Sequence, residues 1–130
     1  MSHTIVHFEI PADSMKRAID FYQNLFGWQF VQVGEGDMEY WLIMTVPVDD
    51  KGMPTEPGVN GGMMKRVMPE QTPVNYISVE SIDEYAKKIE ELGGQVVVPK
   101  MPVPGRGWFA HCIDTEGNAF AIWENDTASA

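Results

Sequence analysis

The sequence predicts an α+β fold built from two tandem β-α-β-β-β modules. Two observations predict it: one amphipathic helix pattern occurs twice, and short β-branched or aromatic runs flank each copy in the same order. The repeat predicts a single domain over residues 1–130, with module 1 at about residues 1–68 and module 2 at about residues 73–125. A chain of 130 residues is long enough to bury a hydrophobic core.

The first predicted strand is the run TIVHFEI, which alternates apolar and polar side chains. Val6, Phe8 and Ile10 form its apolar side, so we expect the first helix to cover them. His7 and Glu9 then point to the uncovered face of the sheet, because successive side chains of a strand lie on opposite faces.

The first helix is predicted between Ser14 and Gly27. Its apolar residues follow the spacing of one helix face: Met15, Ala18, Ile19, Tyr22 and Leu25. The second helix is predicted to begin at Ser81, with Glu84 as the partner in a capping box, and to stop at Gly94. Its apolar face repeats the first one 67 residues further along the chain: Ile82, Tyr85, Ala86, Ile89 and Leu92.

The remaining strand-like runs have matching positions in the two modules. Module 1 continues with WQFVQV, EYWLIMTV and GGMMKRV, and module 2 contains VNYISV, QVVV, GWFAHCI and NAFAIWE. Six prolines fall in two connections, at residues 47–57 and 99–104, where we expect irregular loops.

Charge and composition exclude several classes of function. Nine Lys and Arg against 19 Asp and Glu give a formal net charge of −10, which repels nucleic acids and anionic membrane surfaces. No apolar run reaches the roughly 20 residues that a membrane span needs, and we expect no secretion signal. The single Cys112 cannot form an internal disulfide, so a cytoplasmic protein is expected.

Known catalytic motifs do not point to an enzyme class. The sequence contains no phosphate-binding loop and no G-x-S-x-G nucleophile elbow. Cys112 directly follows His111, so the two side chains oppose each other in a strand, and a buried structural cysteine is predicted.

Three stretches carry a family resemblance: HFEIPADSMKRAIDFYQNLFGWQF, VNYISVESIDEYAKKIEELGGQVV and IDTEGNAFAIWE. With their order and spacing, the chain resembles the vicinal oxygen chelate superfamily, which includes glyoxalase I, extradiol dioxygenases and bleomycin-resistance proteins. It is most similar to the small single-domain, glyoxalase-like branch. The resemblance implies a concave, barrel-like mixed sheet with a ligand cleft, and it implies a homodimer.

In metal-dependent members, the resemblance implies four metal-ligand positions, one on the first and one on the fourth strand of each module. His7 matches the first position. Val74 and Ala121 occupy both positions of module 2, and the remaining position falls in NGGMM, where Asn60 is the only polar candidate. One imidazole holds a divalent ion too weakly, so we expect no metal and no other cofactor. A rearranged metal site is the open alternative, with His7 joined by Glu9, His111 or Glu124.

The predicted ligand-binding residues are polar or aromatic residues expected near the cleft: His7, Glu9, Asn60, Tyr76, Trp108, His111 and Trp123. His7 and Glu9 are also the candidate catalytic residues, because an imidazole exchanges protons near neutral pH. Valine and alanine at metal-ligand positions favour an aromatic or apolar ligand, and the acidic balance favours a cationic one.

Three functions are compatible with these residues. The favoured one is a metal-independent protein that binds a small organic molecule. The second is a lyase, isomerase or dioxygenase-type enzyme acting on a small oxygenated metabolite, either without a metal or with a rearranged metal site. The third is a structural or regulatory module.

Overall fold

The computed structural model describes residues 3–126, and the chain divides into two compact units. One unit is formed by residues 7–73, and the other by residues 74–126 with residues 3–6. Each contains one helix among its strands in the order β-α-β-β-β, which confirms the predicted α+β class. No helix within residues 3–126 is long and apolar enough to cross a membrane.

Module 1 forms a mixed four-stranded sheet in the order β2-β3-β4-β1. Strands β1 and β4 are parallel, and the other neighbouring pairs are antiparallel. The elements are β1 (Ile5–Ala12), α1 (Met15–Phe26), β2 (Gln29–Gly34), β3 (Tyr40–Met44) and β4 (Gly61–Lys65). A 3-10 turn at Gly36–Met38 precedes β3.

Module 2 repeats this topology, with its sheet in the order β5-β8-β7-β6. Here β5 and β8 are parallel and the other pairs are antiparallel. The elements are β5 (Val74–Ser78), α2 (Ile82–Glu91), β6 (Gln95–Val103), β7 (Gly107–Ile113) and β8 (Ala119–Asn125). The two modules therefore place equivalent strands at equivalent positions of their sheets.

Both helices begin where the sequence predicts, because a serine caps each of them. The Ser14 hydroxyl accepts a hydrogen bond from the Arg17 backbone N–H, and the Ser81 hydroxyl accepts one from the Glu84 backbone N–H. Each bond satisfies a backbone donor that the first turn of a helix leaves without an intrahelical partner.

The helix ends differ, which corrects one expectation. Gly27 ends α1 in a left-handed conformation with φ 74°, as predicted. Helix α2 ends at Glu91, earlier than predicted, and Gly93 rather than Gly94 adopts a positive φ of 97°. The N–H of Gly94 instead donates to the Ile89 carbonyl in a six-residue Schellman closure. The offset of 67 residues therefore does not extend to the helix termination.

Each module has its own hydrophobic cluster on the side of the sheet that faces its helix. In module 1 the buried members are Ala12, Ile43 and Met63, with Phe8 and Ile10 packed against them. In module 2 the buried members are Val79, Ile82, Ala110, Cys112 and Ile122. The predicted apolar side of β1 is thus confirmed for Phe8 and Ile10, whereas Val6 is 42% exposed and packs in neither cluster. Cys112 is a buried core residue, as predicted.

Strand β6 corrects the prediction of an irregular loop at residues 99–104. The strand continues through Pro99 and Pro102 and ends at Val103. It lies at the edge of the sheet of module 2, and its pairing with β7 shifts register twice. A proline lacks the N–H that sheet pairing uses, so an edge strand with irregular pairing can accommodate it.

The core position of Met63 predicts a large effect of truncation. Met63→Ala should lower the free energy of unfolding by about 2–5 kcal/mol, because the fully buried side chain leaves a cavity. The matched variant Met38→Ala, at a residue 79% exposed, should change it by less than about 0.5 kcal/mol. Urea unfolding of both variants measures the difference, and equal losses would contradict the assignment of Met63 to the core.

Candidate functional site

The open face of each sheet is the face that its helix does not cover. In module 1 this face carries a hydrogen-bonded chain of three side chains. The Tyr40 phenol donates to Oε2 of Glu9 at 2.8 Å, and Nε2 of His7 lies 2.9 Å from the same phenol oxygen. All three residues are half-buried. We call this arrangement the His7–Tyr40–Glu9 chain. It joins His7 and Glu9, the two site residues predicted on β1, through Tyr40, which the sequence analysis did not predict.

Strand register explains why Tyr40 reaches both partners. Glu9 on β1 is opposite Gly62 on β4, and Leu42 on β3 is opposite Gly62 from the other side. Tyr40, two residues before Leu42, therefore shares their face. A Cβ at residue 62 would overlap the Tyr40 phenol, so the missing side chain of Gly62 is what gives the ring its position. Gly62 has no positive φ, and its role is therefore spatial.

Burial and the neighbouring carboxylate fix the protonation of this chain. Burial lowers the pKa of His7, and the negative charge of Glu9 opposes that shift without reversing it. Burial, the Glu9 charge and the hydrogen bond to Glu9 all raise the pKa of Tyr40. At neutral pH the neutral imidazole is therefore favoured at His7, and Tyr40 keeps its phenol proton.

The open face of module 2 carries an aromatic group made of Tyr76, Phe109 and His111. The Tyr76 hydroxyl lies 3.2 Å from Nε2 of His111, and the Phe109 and His111 rings meet edge to face at 5.4 Å. Tyr76 is only 5% exposed, whereas Phe109 and His111 are half-buried. Trp123 shares this face because it is opposite Phe109 in the β7–β8 register. The structure thus places His111 on the face of the sheet that α2 does not cover.

Trp108 does not belong to this aromatic group, which corrects its predicted place beside Tyr76 and Trp123. It packs against the hydrophobic cluster of module 2, on the face opposite Phe109. Its indole N–H donates to Asp126 at 3.1 Å, and the Lys100 ammonium lies 4.7 Å from the ring centroid. Alternation along β7 separates the side chain at residue 108 from that at residue 109.

Asn60 ties the two ends of the loop between β3 and β4. Its amide oxygen accepts from the backbone N–H groups of Thr45 at 2.7 Å and Val46 at 2.9 Å. Its amide nitrogen donates to the Val46 carbonyl at 3.2 Å. These contacts give Asn60 a structural role in the loop, apart from its predicted role in ligand binding.

The predicted metal-ligand positions offer no matching set of donors. Val74 begins β5, Ala121 is fully buried, and register identifies the counterpart of Ala121 in module 1 as Gly62. Among residues 3–126, no three His, Cys, Asp or Glu side chains are grouped so that they could hold a metal ion. Glu124 accepts a hydrogen bond from the backbone N–H of Ile82 at 2.8 Å, at the start of α2. These residues therefore do not fit the divalent metal of the metal-dependent members.

Sequence reasoning missed Tyr40 and Gly62 as functional candidates. The signal was present in the run from Glu39 to Val46, where Tyr40 and Leu42 alternate with the core residues Trp41 and Ile43. Finding it required the register between β3 and β4, which a single sequence does not supply.

Comparisons with known proteins agree with this fold. The family model described as the Glyoxalase/Bleomycin resistance protein/Dioxygenase superfamily matches residues 4–122. The anthracycline biosynthesis protein DnrV of Streptomyces peucetius is 29% identical over 124 residues, and the match covers 89% of this chain. The chain spans only about half of that relative, since the match covers 45% of it.

Two further similarities extend over nearly whole proteins. A glyoxylase-like domain-containing protein of Didymella fabae is 29% identical over 120 residues, with 88% of each chain covered. The crystal structure of a hypothetical protein from Bacillus halodurans C-125 superimposes with a TM-score of 0.69 at 15% identity. That match covers 97% of this chain and 96% of the other, and at this identity it shows the fold alone.

The lowered pKa of His7 predicts a loss of stability in acid. In the unfolded chain His7 binds a proton below about pH 6.5, whereas in the folded chain it stays neutral until a lower pH. The stability contributed by the neutral imidazole is therefore present above that pH and lost as the pH falls toward the folded pKa. Urea unfolding across this range should show a smaller loss for His7→Gln than for the wild type.

Glu9→Gln is the control for this experiment. It keeps the buried imidazole and removes the charge that raises the pKa of His7, so the acid sensitivity due to His7 should persist. An unchanged pH dependence in His7→Gln would show that His7 does not cause the acid sensitivity.

Proposed function

The chain belongs to the Glyoxalase/Bleomycin resistance protein/Dioxygenase superfamily, and we propose that it binds a small organic molecule without a metal ion. The observation that carries the proposal is the His7–Tyr40–Glu9 chain. The family position that would supply the first metal ligand is occupied by an imidazole hydrogen-bonded to a phenol at 2.9 Å. A ligand would be held there by hydrogen bonds rather than by coordination.

An aromatic ligand is favoured by the open face of module 2. Phe109 and His111 present half-buried rings on this face, and the buried Tyr76 packs against both of them. Rings of this kind bind other aromatic rings by stacking and edge-to-face contacts, each worth about 0.5–1.5 kcal/mol beyond the buried area. The similarity to an anthracycline biosynthesis protein supports the same class, because anthracyclines are polycyclic aromatic compounds.

The net charge of −10 favours ligands that are neutral or positively charged over anions. The small-molecule ligand and the homodimer both remain predictions from the sequence. If the protein binds no small molecule, the third function predicted from the sequence, a structural or regulatory module, is favoured.

An enzyme is the second candidate, and a specific feature favours it. A neutral His7 can take a proton from an acidic C–H of an oxygenated metabolite and return it to the same carbon. The Tyr40 phenol and the Glu9 carboxylate would stabilise the imidazolium formed in between. Faster uptake of deuterium from D₂O into dihydroxyacetone, a neutral carbonyl compound with acidic C–H bonds, by the wild type than by His7→Gln would favour this function.

A matched pair of compounds tests the binding proposal. We expect 2-naphthol to raise the melting temperature and decahydro-2-naphthol, which is saturated but keeps the hydroxyl, to raise it less. A ligand at 100 times its Kd stabilises the folded state by about 2.7 kcal/mol, well within the range of a thermal-shift assay. Equal effects of the two compounds would contradict aromatic recognition.

Phe109→Leu tests whether the aromatic group of module 2 carries this recognition. The variant should bind 2-naphthol about 2–10-fold more weakly, because it loses one aromatic contact. Phe21→Leu, at a helix residue 59% exposed and outside the group, is the control and should bind as the wild type does. Unchanged affinity in Phe109→Leu would exclude this surface as the binding site.

A further inference from the structure

Strand β2 forms an outer edge of the sheet of module 1. It pairs with β3 on its inner side, and on its outer side it pairs with no strand among residues 3–126. Backbone N–H and C=O groups of an edge strand point outward without a sheet partner. The strand has the sequence QFVQVG, which contains no charged residue and no proline. An uncharged edge of this kind is a template for pairing with a further strand.

The equivalent edge of module 2 is built differently, although the two modules share one topology. Strand β6 contains Pro99, Lys100 and Pro102, and its pairing with β7 shifts register twice. Prolines, an edge lysine and irregular pairing are features by which natural sheets avoid edge-to-edge association. Strand β2 has one register shift, between Gln32 and Gly34, and lacks the other two features. The edge formed by β2 is therefore the less protected of the two.

Large apolar side chains are exposed on β2 and in the helix turn that precedes it. Val31 and Val33 on the strand are 47% and 58% exposed, and Leu25 and Phe26 in the last turn of α1 are more than half exposed. Exposed apolar groups beside unpaired backbone groups are typical of a surface that is covered in an assembly. A strand that pairs with β2 satisfies the backbone groups and removes apolar surface from water in one contact.

Charge favours a second copy of this chain as the partner, in an antiparallel arrangement. Two copies with a net charge of −10 repel each other, so they approach most easily where the surface is uncharged, as it is along β2. Glu35 and Asp37 are the first acidic residues after the strand. Antiparallel pairing places the two copies of Glu35 about 25 Å apart, beyond the Debye length of about 8–10 Å. Parallel pairing would place them side by side.

We propose that two copies of this chain associate through antiparallel pairing of their β2 strands, centred on Val31, the exposed valine near the middle of the strand. Directly opposite residues of an antiparallel pair share a face of the sheet, so the two Val31 side chains contact each other. Such a contact is isologous: each copy covers the edge of the other, and no unpaired β2 edge remains for further growth. The proposal assigns a surface to the expected homodimer and does not rest on the proposed binding function.

Analytical ultracentrifugation of the full chain without any ligand tests this interface. We expect a monomer–dimer equilibrium with a Kd below about 1 mM. Val31→Lys should raise this Kd about fivefold or more, because it places two ammonium groups opposite each other and removes an apolar contact. A chain that stays monomeric up to about 1 mM, or a Kd that Val31→Lys leaves unchanged, overturns the proposal.

Val97→Lys is the matched control, because Val97 is a valine of similar exposure on the other edge strand, β6. Each added lysine lowers the net negative charge, which by itself favours association of two acidic chains. A weaker dimer in Val31→Lys alone therefore reports the contact at β2, whereas equal weakening in both variants overturns the proposal. Gln29→Lys, at an exposed polar position of β2, decides in the same way if Val31→Lys fails to fold.

Hydrogen exchange locates the interface independently of these variants. Amide hydrogens of β2 should exchange with D₂O more slowly at chain concentrations above the Kd than below it, because pairing engages them in hydrogen bonds. A dimer in which β2 exchanges equally at both concentrations uses another surface, and this result overturns the proposal. Both experiments are made without a small molecule, so a failure of the binding function changes neither result.

Discussion

Side-chain alternation along the strands is the constraint on which the rest of this structure depends. In each module the helix covers one face of a four-stranded sheet, and every second residue of a strand must face that core. The intervening residues are left on the open face, whatever their polarity. His7 and Glu9 on β1, and Phe109 and His111 on β7, therefore share a face with partners from neighbouring strands because the register places them there.

On the face of module 1 that α1 leaves uncovered, alternation brings together three polar side chains that hydrogen-bond to one another. Tyr40 links an imidazole and a carboxylate that lie two residues apart on one strand, and Gly62 provides the space for its ring. A buried polar group that lacks a partner is costly, so a chain of hydrogen bonds is a stable use of this surface. Under the function proposed above, this hydrogen-bonded chain stands in place of metal coordination at His7.

The helices and the facing of the first strand could be predicted from the sequence, because caps, helix faces and strand alternation depend on residues close together in the chain. Serine caps at Ser14 and Ser81 and the apolar faces that follow them predict both helices, and alternation in β1 predicts the facing of His7. The end of α2 and the course of β6 through two prolines were missed, since both depend on tertiary pairing. Tyr40 and the orientation of Trp108 were missed for a related reason: each is decided by register between strands far apart in sequence.

The most direct test of the central claim is a crystal structure of the full chain grown with zinc or nickel, with anomalous diffraction recorded at the metal edge. We expect that Nε2 of His7 stays within hydrogen-bond distance of the Tyr40 hydroxyl and that no anomalous peak lies at His7. An ion coordinated by His7, with Tyr40 displaced from its place above Gly62, would contradict it.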